Sequence, residues 1–251
     1  MFNFFPVFYT FKSRILTKSE RISWFIIFPL YLFTFQYFSY DETLGFLLSF
    51  LGILSIYEVG YLYNDFITIR KEVNPTIRAG GFESTFFLHF KYHVLFRLFF
   101  GFSLSFYLHS YHLFIYQVAL LVTYYLHNTI RNRFNIITYL FLVSERYLGV
   151  LSPLGLSLLD CLIVTASFPI CRTIEHSCKK KYQFSSVQKF VGDVDLFRIK
   201  YYTVFLSASL FLYLLNLVSL LCVISSLYFF LYRTSAFFAR SYVKRNKHQS
   251  Y

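Results

Sequence analysis

Charged residues are scarce in this chain. Aspartate, glutamate, lysine and arginine make up 14% of its 251 residues, against about 25% in soluble domains, and hydrophobic residues make up 57%. This composition excludes an ordinary water-soluble domain and predicts an integral membrane protein. The expected fold class is all-α, a polytopic transmembrane helical bundle that forms a single integral membrane domain over residues 1–251.

The chain also lacks the patterns of several functional classes. No C-x-x-C or other metal-binding spacing joins its four cysteines, so we assign them no metal or redox chemistry. The apolar patch Phe2–Phe11 is too short to span a bilayer and has no small-residue cleavage site after it, so no removable signal peptide is expected. We find no internal repeat, which disfavours a small transporter.

Long apolar runs take up most of the chain. A span needs about 20 apolar residues to cross about 30 Å of hydrocarbon, so the chain has room for roughly seven to nine helices. The runs that we predict as spans are Trp24–Tyr40, Leu44–Tyr63, Phe86–Leu108, Tyr111–Leu126, Phe134–Val150, Leu154–Arg172, Tyr201–Asn216 and Leu217–Tyr232. The fifth run contains Glu145 and Arg146, which we expect to interrupt it and to neutralise each other.

Basic residues outnumber acids by 24 to 12. They fall in the segments between apolar runs, where membrane topology places them, so a nucleic-acid partner is not expected. If the basic segments face the cytoplasm, Arg146 is the one cation on the outer side. We therefore expect about eight spans in a bacterial inner membrane, with both termini, the basic segment 1–23 and the basic tail 233–251, in the cytoplasm.

The most informative stretch follows the second apolar run and reads N-D-F-I-T-I-R-K-E-V-N-P-T-I-R from Asn64 to Arg78. If the helix continues past Asn64, then Asp65, Thr68 and Glu72 share one face, because they lie at i, i+3 and i+7. Such a face can hold Mg²⁺, which is usually bound through one or two carboxylates together with substrate phosphates. Ordinary polar residues at the water end of a membrane helix are the alternative interpretation.

This stretch resembles the first aspartate-rich motif of the UbiA superfamily of intramembrane prenyltransferases, N-D-x-x-D-x-x-x-D. The closest branch is that of the decaprenyl-phosphate phosphoribosyltransferases. Asn64 and Asp65 match, Thr68 stands at the middle acid and Glu72 replaces the last aspartate. A later segment that ends at Arg172, L-D-C-L-I-V-T-A-S-F-P-I-C-R, resembles the L-D-V-x-V-x-A-x-G-F-x-x-R segment of the same branch. The resemblance implies a UbiA-like bundle.

Members of this superfamily carry a second aspartate-rich motif on the same membrane side. Asp193 and Asp195 are one candidate in this chain. The rival set is Arg172, Glu175, Lys179 and Lys180. Asp193 has a second interpretation as the N-cap of a helix that begins near Leu196.

The resemblance implies transfer of a polyprenyl group, or condensation of a polyprenyl phosphate with a phosphoribosyl diphosphate, with release of diphosphate and Mg²⁺ as cofactor. The implied catalytic residues are Asp65, Glu72, Asp193 and Asp195. The implied metal ligands are Asp65, Glu72 and Asn64. The implied contacts to the polyprenyl phosphate or diphosphate are Asn64, Arg78, Arg131, Arg172 and Lys180. The main alternative is a catalytically degenerate UbiA-like protein that binds a lipid phosphate, followed by a small transporter.

Overall fold

The structure, a computed structural model, describes residues 5–35, 40–71, 88–130 and 132–249, with side chains except at 40–42, 71 and 241–249. Every regular element in these ranges is helical. The α-helices are α1 (Phe8–Ser13), α2 (Lys18–Ile22), α3 (Phe28–Phe33), α4 (Tyr40–Tyr63), α5 (Phe90–Tyr107), α6 (Tyr111–Thr129), α7 (Asn135–Leu151), α8 (Leu158–Thr165), α9 (Cys171–Ser177), α10 (Ser185–Val191), α11 (Val194–Leu214) and α12 (Leu220–Gln249). Wider π-helical turns continue α2, α4 and α8 at Ser23–Ile27, Asn64–Thr68 and Ala166–Ile170.

The predicted all-α class is confirmed by these elements. Two helical segments of the described chain, Thr43–Thr68 and Leu220–Arg240, are long and apolar enough by length and composition to cross a membrane. The bundle of eight spans is not confirmed and stays a prediction. One reason is length: α7 has 17 residues, fewer than the about 20 that a span needs.

The chain forms two compact units, Met1–Leu156 and Ser157–Tyr251, called here the N-terminal unit and the C-terminal unit. In the N-terminal unit, α4 packs against α5, α6 and α7. A helix that is apolar on all sides is stable only when other helices or lipid surround it. The side chains of Ile53, Ile56 and Leu62 on α4 are accordingly fully buried.

Helix α6 buries two polar side chains together with apolar ones, and it exposes an apolar stripe. Gln117 and Asn128 are buried, and Gln117 donates to the carbonyl oxygen of Gly101 at 2.8 Å. The exposed side chains of α6 recur at helical spacing along one face and are Tyr111, Ile115, Val118, Val122 and Tyr125. A continuous apolar stripe of this kind is typical of a helix that faces lipid or a partner.

A glycine sets the distance between α4 and α6. A Cβ atom at Gly60 would overlap the ring of Tyr124, and Asn128 Nδ2 donates to the Gly60 carbonyl oxygen at 3.3 Å. We expect Gly60→Ala to lower the free energy of unfolding by about 1–3 kcal/mol, because overpacking displaces the ring. Denaturant titration in detergent, followed by circular dichroism, measures the change.

Gly45, on the same helix, is the matched control because a Cβ there has no atom within 4 Å. Alanine suits a helix interior better than glycine by about 0.5–1 kcal/mol, so Gly45→Ala should raise stability slightly. Equal effects of the two substitutions would contradict the close approach of α4 and α6.

The prediction that Glu145 and Arg146 interrupt the fifth run and neutralise each other is wrong. Helix α7 passes through both residues without a break. Glu145 Oε1 accepts a hydrogen bond from Thr123 Oγ1 at 2.8 Å, whereas the Arg146 guanidinium lies over the ring of Trp24. Consecutive residues do not face each other on a helix, so the two side chains have different surroundings.

In the C-terminal unit, α11 and α12 pack against each other over much of their length. The rings of Tyr202 and Phe229 stack between these helices with their centroids 5.3 Å apart. Ile163 of α8 joins Val218 and Cys222 in a buried apolar cluster. Charged residues of α9 and of the first turns of α11 form a separate cluster in the same unit.

Candidate functional site

Asp65, the first acid of the predicted motif, is held by three side chains in the N-terminal unit. Tyr9 Oη donates to Asp65 Oδ2 at 2.7 Å, and Arg14 Nη2 donates to both carboxylate oxygens at 2.7 Å. Asn64 Nδ2 donates to Asp65 Oδ1 at 2.9 Å. The Asp65 side chain is only 2% exposed, so these donors, and not water, balance its charge.

Arg14 binds Asp65 with one nitrogen and keeps two others without an acceptor. Its guanidinium lies 4.5 Å from the ring centroid of Tyr61, and its Nε and Nη1 atoms are buried without a hydrogen-bond partner. Burial opposes the charge of Arg14, but the Asp65 carboxylate outweighs burial and raises the pKa of Arg14 above its usual value. Arg14 is therefore a permanent cation with unused donors.

Glu58 of α4, seven residues before Asp65, is fully buried in an ion pair. Arg97 Nε of α5 donates to Glu58 Oε2 at 2.7 Å, and both side chains are 0% exposed. The backbone N–H of Thr10 donates to Glu58 Oε1 at 2.6 Å. Glu58 and Asp65 together fix α1 against α4, which is why Arg14 lies beside the motif.

The second acidic segment lies in the C-terminal unit, where arginines surround its carboxylates. Arg198 bonds Glu175 through Nε at 2.6 Å and Nη2 at 2.8 Å, and Arg172 Nη1 donates to Glu175 at 2.6 Å. Asp195 accepts from Arg198 at 3.0 Å and from Arg240 at 2.7 Å. Burial raises the pKa of Glu175, but its bonds to Arg198 and Arg172 outweigh burial and bring that pKa below its usual value.

Asp193 is the N-cap of α11. Its Oδ1 accepts from the backbone N–H groups of Asp195 and Leu196 at 3.0 and 2.9 Å, so the N-cap interpretation is confirmed. Lys180 lies in the short 3₁₀ turn Lys180–Tyr182 and is exposed. Its predicted contact with phosphate stays a prediction.

The remaining predicted site residues, Glu72, Arg78 and Arg131, lie outside the described residues. Of the predicted carboxylate ligands for Mg²⁺, the structure describes Asp65 alone, and both of its oxygens are bonded to side chains. Within the described ranges, no three His, Cys, Asp or Glu residues come together to hold a metal ion. Binding of Mg²⁺ by Asn64, Asp65 and Glu72 stays a prediction.

Two of the side chains that hold Asp65 are not predicted by any sequence motif. Arg14 and Tyr9 belong to the basic N-terminal segment, whose charge was fully explained by membrane topology. Among the aromatic residues near the motif, Tyr61 and Tyr124 pack edge to face with centroids 6.0 Å apart, whereas Tyr63 is 38% exposed. Comparison of the chain with protein-family models, with curated proteins and with solved structures finds no match.

Proposed function

We propose that the chain is a UbiA-like intramembrane protein that binds the phosphate of a polyprenyl phosphate. The observation that carries this proposal is Arg14, whose Nε and Nη1 atoms are buried and have no acceptor. Phosphate oxygens are the usual acceptors for a guanidinium that presents several N–H groups in one plane. The resemblance of Asn64–Arg78 to the first UbiA motif supports the same class of ligand.

Asp65 positions Arg14 for this role. Because the carboxylate bonds Nη2 from one side and the ring of Tyr61 covers a face, the guanidinium keeps a fixed orientation. A preorganised donor loses less entropy when a ligand binds than a mobile one does. Asp65 therefore acts through Arg14 in this proposal, and not as a metal ligand.

An apolar cavity borders the same N-terminal segment. It has a volume of about 350 Å³ and is lined by Phe5, Pro6, Val7, Phe8, Phe11 and Phe25. Ligand pockets in proteins typically measure about 300–1,000 Å³ and are mainly apolar. The cavity is open on one side and does not include Arg14 in its lining, and its apolar walls suit a hydrocarbon chain.

Binding of farnesyl phosphate to the purified protein in dodecyl maltoside tests the proposal by isothermal titration calorimetry. We expect saturable binding and at least a tenfold loss of affinity in Arg14→Gln, since one charge-assisted hydrogen bond contributes about 1.5–3 kcal/mol. Farnesol, which lacks the phosphate, should bind equally weakly to both proteins.

Lys18→Gln is the matched control, because Lys18 is an exposed cation of the same segment. It should leave the affinity unchanged. The double variant Arg14→Gln/Asp65→Asn removes both charges and so guards against misfolding. If this folded variant binds farnesyl phosphate as tightly as the unmodified protein does, the proposal is wrong.

Prenyl transfer is a separate prediction of the resemblance, and the same preparation distinguishes it from binding alone. Release of diphosphate from farnesyl diphosphate, dependent on added Mg²⁺, would support a transferase. Binding of farnesyl phosphate without such release would support the catalytically degenerate alternative. The described contacts favour the catalytically degenerate alternative, because the Asp65 carboxylate already accepts hydrogen bonds from Arg14 and Tyr9.

A further inference from the structure

Arg146 of α7 is a buried cation that forms no ion pair with an acid of the described residues. The residue is 8% exposed, and no carboxylate of the described chain bonds its guanidinium. The adjacent acid, Glu145, bonds Thr123 instead. A desolvated charge without a counter-ion is expensive, so buried arginines are normally paired. This arrangement therefore requires another source of stabilisation.

Aromatic rings supply part of it. The centroids of Trp24, Phe28, Tyr57 and Tyr147 lie 4.5, 4.9, 5.3 and 5.4 Å from the Arg146 guanidinium carbon. Ring faces attract a cation and exclude water. They do not replace in-plane acceptors for N–H groups, and Arg146 Nε is buried without any hydrogen-bond partner.

The side chains that interact most strongly with the charge of Arg146 are four tyrosines: Tyr57, Tyr147, Tyr61 and Tyr139. A tyrosine hydroxyl can donate a hydrogen bond to an anion and places no negative charge against it. The surroundings of Arg146 thus combine a fixed positive charge with neutral polar groups. Such a set matches a group with several acceptor oxygens better than it matches a neutral ligand.

We propose that Arg146 and its aromatic surroundings form a second oxyanion site, which binds a phosphoryl group of a lipid headgroup or of a free phosphate. The guanidinium would bind two phosphoryl oxygens through Nε and a terminal nitrogen, the usual paired geometry of an arginine. The site differs from the one at Arg14, because a different cation holds the anion and no carboxylate orients it. The proposal therefore does not depend on polyprenyl phosphate binding.

The chain provides its own reporter for this site. Trp24, whose ring lies 4.5 Å from the Arg146 guanidinium carbon, is the single tryptophan of the sequence. The protein is titrated in dodecyl maltoside, a detergent without phosphate, at constant ionic strength. One arm adds inorganic phosphate and the other adds dodecyl phosphate, with sodium chloride as the blank. Tryptophan fluorescence is followed in each.

We expect a saturable change of Trp24 fluorescence with phosphate and none with chloride. A response to both probes assigns a site for free phosphate, and a response to dodecyl phosphate alone assigns a headgroup site. Arg146→Gln should weaken binding at least tenfold. Arg146→Lys keeps the charge but loses the paired geometry, and it should also weaken binding while its circular dichroism stays unchanged.

Lys91→Gln is the control, because Lys91 is an exposed cation of the same unit. Its affinity should equal that of the unmodified protein. Failure of the unmodified protein to give a saturable change with either phosphate probe overturns the proposal. So does an unchanged affinity in Arg146→Gln, which would make Arg146 a purely structural cation.

Discussion

Replacing Arg97 with methionine is expected to lower the free energy of unfolding by about 3–5 kcal/mol. The Arg97–Glu58 pair has both side chains 0% exposed, so its loss leaves the Glu58 carboxylate buried without a cation. Arg97 Nη1 also donates to the His93 carbonyl oxygen at 3.2 Å, and that bond disappears too. Denaturant titration in detergent, monitored by circular dichroism, measures the change.

Two further variants separate the lost ion pair from a general effect of the substitution. Lys91→Met changes an exposed cation on the same helix and should shift stability by less than about 0.5 kcal/mol. Glu58→Gln, added to Arg97→Met, removes the unpaired charge and should restore part of the loss. If Arg97→Met alone is as stable as Lys91→Met, then Glu58 and Arg97 are not a buried pair.

In the C-terminal unit, Arg198→Met should have the next largest effect. Arg198 bonds both Glu175 and Asp195, and its loss leaves Glu175 with the half-exposed Arg172 as its ion-pair partner. A hydrogen bond to a charged group contributes about 1.5–3 kcal/mol, and we expect a loss in that range. Lys200→Met, at an exposed position of α11, is the matched control.

The same cluster predicts a dependence on pH. Because the pKa of Glu175 is lower in the folded protein than its usual value, the folded state holds fewer protons here than the unfolded state does. The resulting stabilisation is complete above the usual carboxyl pKa and is lost as the pH falls through the lowered one. In Arg198→Met, the free energy of unfolding should depend less on pH between about pH 5 and pH 3, the range in which ordinary carboxyl groups titrate. The same pH dependence in Arg198→Met and in the unmodified protein would contradict the pairing.

The sequence predicts the positions of some helices well but not of others, since the predicted run Trp24–Tyr40 spans the end of α3 at Phe33 and the start of α4 at Tyr40. The runs Tyr111–Leu126 and Phe134–Val150 correspond to Tyr111–Thr129 and Asn135–Leu151, because apolar runs and the polar segments between them mark where helices begin and end. The Asp193 cap was also visible, since a short acid before an apolar run is a local signal. These features depend on neighbouring residues alone.

The partners within the site depend on contacts between distant residues. Arg14 and Asp65 are 51 positions apart, and nothing in the N-terminal segment distinguishes Arg14 from the other cations that topology explains. Glu58 and Arg97 could have been paired in advance, because each is a costly charge within a predicted span and their signs are opposite. Adjacency in sequence predicts that Arg146 pairs with Glu145. Consecutive residues of a helix point in different directions, so this adjacency does not bring the two side chains into contact.

The attachment of α1 to α4 also has a consequence for the order in which the protein is made. Tyr9, Thr10 and Arg14 leave the ribosome before the two acids that they bind, whereas Arg97 follows Glu58 by 39 residues. At about 5–20 residues per second, this interval lasts on the order of seconds. During it, Asp65 already has its cation, but Glu58 has only a backbone N–H. Synthesis of α5 therefore completes the charge balance of α4.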